Sequence, residues 1–300
     1  MTRRIDLHIH SRDCSDGRLG VKEIVDYAKE LGLSLLSITD HDAISCQEMA
    51  MAYAQETGMG YITGVEISIR YRFEENGKGW EGSLDILGYG FDPLNERLNE
   101  RLNQILRHRK ERIEKTFQIL NSHLQSDGLQ GLEESDLLKL EKASHASLGR
   151  PLLADLLVEK GYVRDRKEAF IKYLDEINLP KFPIGLKDAS GLIRDAGGKV
   201  VLAHPADPSG NSLRKFYPNV ERIVEHIDRH MLPYLDGLEC WHSRQDEYDS
   251  EILYEYAKGR GLLSTGGSDC HQSPLKMGSV DVPQEAIDQF IRVLGRKNGS

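Results

Sequence analysis

The sequence has few of the features that mark several large classes of protein. It contains only four cysteines in 300 residues and no C-x-x-C pair, which argues against a disulfide framework and favours free thiols in a reducing compartment. No run approaches the roughly 18 apolar residues of a membrane span, and the first residues lead straight into a strand without a signal peptide. The net charge of −9 provides no basic footprint for coating nucleic acid. We therefore expect a cytoplasmic protein that contacts no membrane and forms no stable complex with nucleic acid.

The hydrophobic residues that are present, 39% of the chain, follow two alternating patterns. Short β-branched runs such as Arg4–His8 alternate with segments of helical periodicity such as Val21–Leu31. This alternation predicts an α/β fold of parallel strands with crossover helices, open or closed into a barrel. The pattern becomes helical between about residues 95 and 183. We predict a discontinuous domain, residues 1–94 and 184–300, that carries residues 95–183 as a helical insert.

One short segment, DLHIHSRDCSDG at residues 6–17, places two histidines two residues apart at the exit of the first strand. Residues i and i+2 of a strand point to the same face, so both imidazoles would project together. One such pair also occurs on ordinary exposed strands, but acidic and histidine side chains recur at the ends of at least six strand candidates. These residues are His8, His10, Asp40, His41, Glu66, His204, Glu239, His242, Asp269 and His271. Because α/β folds build their sites at this edge of the sheet, we predict a metal site there.

Imidazole and carboxylate groups are ligands for Mn, Zn or Fe ions, and a carboxylate can bridge two ions. Two ions roughly 3.5–4 Å apart can generate hydroxide from water and stabilise the attacking and leaving oxygens of a phosphoryl group. Because thiolates are nearly absent from the pattern, a catalytic cluster is favoured over a structural zinc site.

Five motifs, in chain order, resemble those of the PHP (polymerase and histidinol phosphatase) family. They are DLHIHSRDCSDG, SITDHDAIS, GVEIS, VVLAHP and GGSDCH. LGRPLLADLLVEKGYV and ILGYGFDP further resemble a branch whose members act on the 3′-phosphate of nucleoside 3′,5′-bisphosphates or remove 5′-mononucleotides from short RNA. The resemblance implies a distorted seven-stranded β/α barrel whose helical insert caps the site. It also implies two or three divalent metal ions, with Mn expected first and Zn, Fe or Mg as alternatives.

The resemblance implies nine metal ligands in three groups. The groups are His8, His10, Glu66 and Asp269 for one ion, Asp16, His41 and His271 for a second, and His204 with Asp85 for a third position beside Glu66. Two positions depart from the branch. Asp85 stands where relatives usually have a ligating histidine, and Leu152, which cannot hydrogen-bond a phosphate, stands where they commonly have a histidine. The third ion and the exact substrate therefore stay open at this point.

Four further residues are candidates for supporting or substrate-binding roles. Arg150 lies in the insert motif, and its planar guanidinium could reach a substrate phosphate, with Lys181 as a second candidate. Asp40 is interpreted as orienting an imidazole, and His242 as a proton donor or a phosphate contact. The basic stretch at residues 101–115 could guide an anionic substrate, but a solvated helix face explains it better.

Together these features predict a metal-dependent phosphoesterase that hydrolyses a phosphate monoester or diester by metal-bound hydroxide. The expected partner is a small phosphorylated substrate, either a nucleoside 3′,5′-bisphosphate or the 5′ end of a short oligonucleotide. A histidinol-phosphate phosphatase is the alternative within the class, although the helical insert argues against it. A regulatory metal-binding module without turnover is the alternative outside the class. A proofreading accessory of a DNA polymerase is disfavoured because the chain has no polymerase portion.

Overall fold

The structure of the protein is a computed structural model that describes residues 3–75, 77–143, 148–177, 179–271 and 276–295. Its strands are β1 (Ile5–Ile9), β2 (Leu35–Ile38), β3 (Gly60–Tyr61), β4 (Gly64–Glu75), β5 (Lys78–Tyr89), β6 (Lys199–Leu202), β7 (Gly237–His242) and β8 (Leu263–Gly267). Its α-helices are α1 (Val21–Glu30), α2 (Gln47–Thr57), α3 (Glu96–Ser126), α4 (Glu134–Ala143), α5 (Arg150–Glu159), α6 (Arg166–Ala169), α7 (Leu186–Asp195), α8 (Val220–His226), α9 (Glu247–Gly259) and α10 (Gln284–Leu294). Short π-helical turns, Phe170–Leu174 and Ile227–Met231, follow α6 and α8.

Helix α1 shows how the local sequence produces these elements. Its apolar residues recur with the helical period and form one fully buried face. At its start, the backbone N–H of Gly20 donates to the Glu23 carboxylate at 2.7 Å, which satisfies a group that the helix itself leaves unpaired. After its end, Gly32 adopts a φ of 72°, a left-handed conformation that favours glycine. The helix can therefore cover β1 and β2 as a crossover between parallel strands.

The strands form two sheets. One has the order β1-β2-β3 and is parallel, and the other has the order β4-β5-β6-β7-β8. Two isolated parallel bridges join the sheets at the ends of their strands, between Ile9 and Cys270 and between His41 and Glu66. A Cβ at residue 267 would lie 2.3 Å from Cβ of His8, so glycine there permits β8 to approach β1. The carboxyl ends of β1, β2 and β8 consequently meet at one edge with the amino-terminal part of β4, which contains Glu66.

The predicted α/β class is confirmed, but the strand arrangement differs from the prediction. The described residues contain eight strands in two sheets, and the pairing does not form one closed seven-stranded barrel. The expected parallel pattern is wrong for β5, which is antiparallel to both β4 and β6. Only two residues separate Glu75 from Lys78, which is far too short for a crossover helix. The segment YITGVEIS, expected as one strand, is divided between β3 and β4.

The apolar residues of the helical region form a hydrophobic cluster of their own. Its buried members all lie between Ile113 and Ile177, on α3, α5 and α6, in the segments that join these helices, and in the turn that follows α6. The strands and their flanking helices bury other clusters, the largest of which lies around β4, β5, α7 and α8. Residues predicted as an insert therefore have a separate core, although the domain boundaries themselves stay a prediction.

The cysteine prediction is wrong for one pair. Cys14 and Cys46 form a disulfide, whereas Cys240 and Cys270 are buried free thiols. The two bonded residues lie in loops after β1 and β2, which are paired strands, so folding brings them together despite 32 residues of separation. The inference of a reducing compartment from the cysteine pattern therefore loses its support. Among the described residues, no helix has both the length and the apolar character needed to cross a membrane.

Candidate metal centre

Four of the predicted ligands converge where β1 and β8 end and where β4 begins, because Glu66 is the third residue of β4. The Nε2 atoms of His8 and His10 lie 3.1 Å apart. Oε2 of Glu66 lies 3.5 Å and 3.3 Å from these two nitrogens, and Oδ1 of Asp269 lies 3.4 Å and 3.3 Å from them. All four side chains are buried or nearly so. Two nitrogens and two oxygens thus face one small volume, which is the donor set expected for the first ion.

A second group lies on the solvent side of the first. Nε2 of His271 is 3.3 Å from Oδ1 of Asp16, and Nδ1 of His41 is 2.8 Å from Oε2 of Glu66. Donor atoms of Asp16, His41, His271 and His10 all lie within 4.8 Å of one another. The loop that carries Asp16 packs against the backbone of His10. Gly17 permits this approach, because a Cβ at residue 17 would lie 1.9 Å from the His10 carbonyl oxygen. This group therefore matches the predicted second set, with His10 as an added member.

The third predicted group is also assembled. Nε2 of His204 lies 3.1 Å from Oε1 of Glu66 and 3.9 Å from Oδ2 of Asp85. The Ser68 hydroxyl donates to the other carboxylate oxygen of Asp85 at 2.7 Å, which directs Oδ2 toward the cluster. Glu66 contributes one oxygen to this group and the other to the first two groups. The arrangement suits a bridging carboxylate.

The donor atoms face shared space rather than one another. Oε2 of Glu66 and Nδ1 of His41 are buried and only 2.8 Å apart, yet within the described part of the chain neither has a partner with hydrogen-bond geometry. Buried polar atoms without partners are rare, because removing them from water costs about 1–3 kcal/mol each. Cations bound between these lone pairs would remove that cost, so the residues present fit divalent ions.

Glu239, which sequence reasoning noticed at a strand end but gave no role, supports two of the ligands. Its Oε1 lies 3.0 Å from Nδ1 of His8, and its Oε2 accepts a hydrogen bond from the backbone N–H of His204 at 2.7 Å. A carboxylate beside Nδ1 places the imidazole proton there and leaves the Nε2 lone pair directed at Glu66 and Asp269.

Two other histidines have opposite tautomers. Nδ1 of His271 lies 3.0 Å from the Asp269 carbonyl oxygen, so this nitrogen carries the proton and Nε2 is available as a ligand. Nδ1 of His242 instead accepts from the backbone N–H of Arg244 at 3.3 Å, which leaves the proton on Nε2. That Nε2 lies 3.4 Å from Oδ2 of Asp269. His242 is therefore placed to hold a proton beside the cluster, although its nitrogen could join His8 and Asp269 as a ligand in the other tautomer.

Asp40 does not contact an imidazole in the manner expected. Its two carboxylate oxygens accept from the backbone N–H and the hydroxyl of Ser11, at 2.6 Å and 2.7 Å. Burial raises the pKa of Asp40 to about 7, against these hydrogen bonds. The side chain thus secures the loop after His10 rather than the ring of His41.

The charges of the cluster favour cation binding. Burial by itself raises the pKa of Glu66, but the imidazoles of His41 and His8 outweigh it and hold that pKa well below its ordinary value. Burial likewise lowers the pKa of His204, but Glu66 and Asp85 more than reverse this and raise it to about 9. The carboxylates therefore attract positive charge into a buried site, and divalent ions would displace the protons of the imidazoles.

The backbone is strained at two of the predicted ligands. His204 has a φ of 28° and Asp269 a φ of 53°, in the left-handed region that residues other than glycine seldom adopt. Such conformations cost about 1–3 kcal/mol each and persist only where the surrounding structure enforces them. Their occurrence at the ends of β6 and β8 is consistent with a functional edge.

Asp16 and His41 of the cluster line a cavity of about 720 Å³. Arg150 and Lys181, the predicted substrate-binding residues, line the same cavity. Arg150 is tied down, because it donates to the Leu174 carbonyl oxygen at 2.9 Å and stacks over Phe170. Both residues are thus on the substrate side of the cluster, while their contact with a phosphate stays a prediction.

The interpretation of residues 101–115 as a solvated face is wrong for Arg109. Its side chain is only 12% exposed and pairs with the buried Asp42, with Nη2 and Oδ2 2.5 Å apart. Arg109 and Arg112 line the cavity from α3. The helical period alone could have placed them on the buried side, because Arg109 lies four residues after the buried Ile105 and Arg112 lies four residues before the buried Thr116.

Arg244 is a further residue that sequence reasoning missed. Its Nη2 lies 2.7 Å from Oδ2 of Asp269 and 2.7 Å from Oδ2 of the fully buried Asp207. The guanidinium orients Asp269 so that its other oxygen faces the two histidines of β1. No local sequence pattern identifies this contact, because it joins loops after β6, β7 and β8.

Comparison with known proteins places the chain in a family. Residues 6–189 match the PHP domain family. The protein belongs to this family. It is 30% identical to the 3′,5′-nucleoside bisphosphate phosphatase of Chromobacterium violaceum over 272 residues, which cover 89% of this chain and 87% of that protein. It is 28% identical to a 5′-3′ exoribonuclease of Haemophilus influenzae, with 90% and 91% of the two chains covered.

A solved structure is similar over nearly the whole chain. A protein of Bifidobacterium adolescentis, assigned as a metal-dependent phosphoesterase, superposes with a TM-score of 0.79 at 26% identity. The match covers 97% of this chain and 96% of the other. The family predicted from the five motifs is therefore confirmed, and these relatives agree with the predicted class of metal-dependent phosphoesterases.

Proposed function

We propose that the protein is a metal-dependent phosphoesterase whose substrates are nucleoside 3′,5′-bisphosphates or the 5′ ends of short oligonucleotides. The observation that carries this proposal is the cavity beside the ligand cluster, which has cations along its walls. They are Arg70, Arg109, Arg112, Arg150, Lys181 and Lys215. Among the residues that the structure describes, two carboxylates line it, and one of them, Asp16, belongs to the cluster. An anionic substrate with more than one phosphate fits this charge distribution.

The residues of the chain have separate roles in this proposal. His8, His10, Asp16, His41, Glu66, Asp85, His204, Asp269 and His271 would hold two or three divalent ions, with Mn expected first. Such ions supply a nucleophile from water and neutralise the oxygens of the phosphoryl group. Arg150 and Lys181 bind the substrate, and His242 holds a proton on Nε2 near the leaving oxygen. Glu239 and Arg244 keep the ligands in position.

The finer architecture belongs to the same proposal. The two interstrand bridges would complete a distorted barrel around the cluster, and residues 95–183 would cap its mouth. Side chains of Arg109, Pro151 and Arg166 line the cavities at the cluster, which supports the cap. The cytoplasmic location stays a prediction. It rests on the proposed nucleotide substrates, because the disulfide between Cys14 and Cys46 removes the support that four free thiols would have given.

The test is a panel of phosphate esters assayed with metal-stripped protein before and after addition of Mn²⁺. The panel contains a nucleoside 3′,5′-bisphosphate, a 5′-phosphorylated short RNA, histidinol phosphate and p-nitrophenyl phosphate. We expect turnover only with metal, and the largest kcat/KM for one of the first two substrates. Preference for histidinol phosphate would support the alternative phosphatase. Absence of turnover on every ester, in protein that has bound Mn²⁺, would leave the non-catalytic metal-binding module as the better description.

A further inference from the structure

The hairpin of β4 and β5 extends one wall of the cation-lined cavity. β5 pairs with β4 along its whole length but with β6 only through Ile86–Tyr89. In the described part of the chain, residues 78–85 therefore have a partner strand on one side only. Three of them, Glu81, Gly82 and Ser83, line the cavity. The outer half of the hairpin thus forms an arm beyond the sheet, along the edge of the cavity.

The arm presents an exposed tryptophan that two other rings hold in place. Trp80 is 39% exposed. Its ring is nearly parallel to that of Phe73 on β4, with 6.3 Å between the ring centres, and the ring of Phe216 stands edge-on to it at 6.1 Å. A Cβ at residue 82 would lie 2.7 Å from the ring of Phe216, so glycine there lets Phe216 pack over the strand. We call these three rings the aromatic platform.

A cation lies between the aromatic platform and the ligand cluster. Lys215 directly precedes Phe216 in the chain and lines the cavity. Its Nζ donates to Oδ1 of Asn211 at 3.1 Å, and among the described residues it forms no ion pair with a carboxylate. Burial lowers the pKa of Lys215, and the charge of the nearby Asp85 partly opposes this. Lys215 therefore faces the third ligand group on one side and adjoins the platform on the other.

The platform is too far from the cluster to serve a ligand confined to it. Asp85 and Trp80 lie on the same strand, five residues apart. An extended strand rises about 3.4 Å per residue, so about 17 Å separate them along the strand. A mononucleotide held at the cluster ends short of Trp80, whereas a longer chain can follow the strand to it.

This combination of groups is the one that binds single-stranded nucleic acid. In such sites a base stacks on an exposed ring while a cation faces the backbone, and every base can stack because each has a π face. A protein partner would need a broader apolar face. The neighbours of Trp80 on the arm offer none, because they are Lys78, Gly79 and Glu81, all exposed.

We propose that Trp80 stacks a base of an oligonucleotide substrate, in the part of the chain that lies 3′ of the phosphate at the ligand cluster. This inference rests on the proposed function and specifies how the oligonucleotide, one of its two substrate classes, is recognised. It makes Trp80 a specificity-determining residue, because a short single-stranded RNA reaches the aromatic platform and a nucleoside bisphosphate does not. Phe73 and Phe216 fix the plane of the indole for this contact.

The first experiment compares two substrates in the full-length Mn²⁺ protein. The variants are Trp80→Ala, Trp80→Phe and, as a control, Tyr248→Ala, which removes an exposed ring from α9. For a 5′-phosphorylated RNA pentamer, we expect Trp80→Ala to raise KM by about 5- to 100-fold with little change in kcat, because the stacked base is bound equally in the ground and transition states. For a nucleoside 3′,5′-bisphosphate, KM should not change. Trp80→Phe should recover part of the loss, and Tyr248→Ala should behave as the parent protein.

Equal increases in KM for both substrates in Trp80→Ala would overturn the proposal and indicate that the ring only shapes the cavity. Unchanged KM for the pentamer would overturn it as well. Thermal unfolding of each variant separates these results from misfolding, and the phenylalanine variant supplies the measurement if the alanine variant is unstable.

A second experiment keeps the aromatic platform testable if the proposed function fails. The chain has two tryptophans, so Trp241→Phe leaves Trp80 as the one fluorescent indole. In this variant, stripped of metal, we expect the RNA pentamer to quench the Trp80 emission in a saturable manner, because a base stacked on the ring accepts its excitation. A nucleoside 3′,5′-bisphosphate should leave the emission unchanged. This result is expected even where the protein hydrolyses no ester.

Two outcomes of the titration would contradict the proposal while leaving the proposed function intact. Unchanged emission at saturating pentamer would show that no base reaches Trp80, and equal quenching by the bisphosphate would place the ring in the mononucleotide site. Emission that varies with protein concentration in the absence of RNA would assign the exposed ring to contact between protein molecules, which would overturn the proposal too.

Discussion

Oε1 of Glu239 lies 3.0 Å from Nδ1 of His8, and the same carboxylate accepts a hydrogen bond from the backbone of His204 through its other oxygen. One buried side chain on β7 therefore orients a ligand at the end of β1 and positions another after β6. By contacting Nδ1, Glu239 directs the Nε2 lone pair of His8 toward Glu66 and Asp269, at the first predicted ion position. Because it also holds the backbone of His204, the same carboxylate links this position to the third.

Glu239→Gln should weaken metal binding without removing a ligand. A neutral amide fixes the proton on Nδ1 of His8 less strongly than a carboxylate does, so Nε2 becomes a weaker ligand. We therefore expect the affinity for the most tightly bound Mn²⁺ ion to fall about 10- to 100-fold. Competition with a fluorescent chelator measures this change, and kcat at saturating Mn²⁺ should recover to a large part of the parent value. The exposed Glu247 provides a matched control, Glu247→Gln. Unaltered affinity in Glu239→Gln would show that the contact with His8 has no role in the site.

His10→Ala or Asp269→Ala should nearly abolish turnover. Each removes a donor from the group in which two nitrogens and two oxygens face the first ion position, so we expect kcat to fall by at least about 100-fold. Steady-state kinetics and metal content are measured on the same preparations, with His123→Ala on α3 as the control. Full activity in either site variant with unchanged metal content would refute the ligand assignment.

Asp85 should determine whether a third ion is held. Its Oδ2 lies 3.9 Å from Nε2 of His204, which leaves room for a cation between them. Anomalous scattering from crystals grown with Mn²⁺ should show lower occupancy beside Glu66 in Asp85→Ala than in the parent. Asp85→His should keep that position and shift its preference toward Zn²⁺, because imidazole is a softer ligand than carboxylate. Identical ions at identical occupancy in the parent and the alanine variant would mean that Asp85 is not a ligand.

Reduction of the Cys14–Cys46 disulfide should destabilise the protein. The bond closes a loop between residues 32 apart, and on the chain-entropy account it contributes about 3 to 4 kcal/mol to the free energy of unfolding. Urea unfolding with and without reductant measures the difference. On reduction, the free energy of unfolding of the Cys240→Ala variant should fall by the same amount as that of the parent, since Cys240 forms no disulfide. Titration of the denatured, unreduced chain should find two free thiols, and a count of four would show that the disulfide does not form.

Stability should depend on pH through His226, which is remote from the ligand cluster. This buried ring contacts the hydroxyls of Tyr71 and Tyr217, at 2.7 Å and 2.8 Å. Burial, followed by the charge of His230, lowers the pKa of His226 to about 4, whereas the ordinary value in an unfolded chain is about 6.5. Between these values the unfolded state binds more protons, so stability rises with pH and is lost on acidification.

The corresponding measurement is the free energy of unfolding at pH 7 and pH 5 for the parent and for His226→Gln. We expect the parent to lose about 2 kcal/mol more than the variant, because the other titrating groups are common to both. Parallel losses in the two proteins would show that His226 does not resist protonation in the folded state.

Much of the ligand set could be predicted from local sequence. The two-residue period of a strand places His8 and His10 on one face, and the ends of parallel strands meet at one edge whatever the details of packing. Glu66 and His204 could be recognised because each directly follows an apolar residue at the end of a strand candidate, and Asp269 because it follows the last strand candidate. The α/β class follows from the same periodicities.

Contacts between side chains far apart in sequence were decided only by the tertiary structure. The bond between Cys14 and Cys46 depends on loops whose positions follow from the pairing of β1 with β2, and the cysteine count suggested the opposite. The antiparallel setting of β5 depends on a two-residue connection that composition did not reveal. Sequence shows which residues carry charge, but not which charges find partners. Arg109 meets Asp42 and Arg112 meets none among the described residues, because partnership depends on the packing of α3 against the sheet.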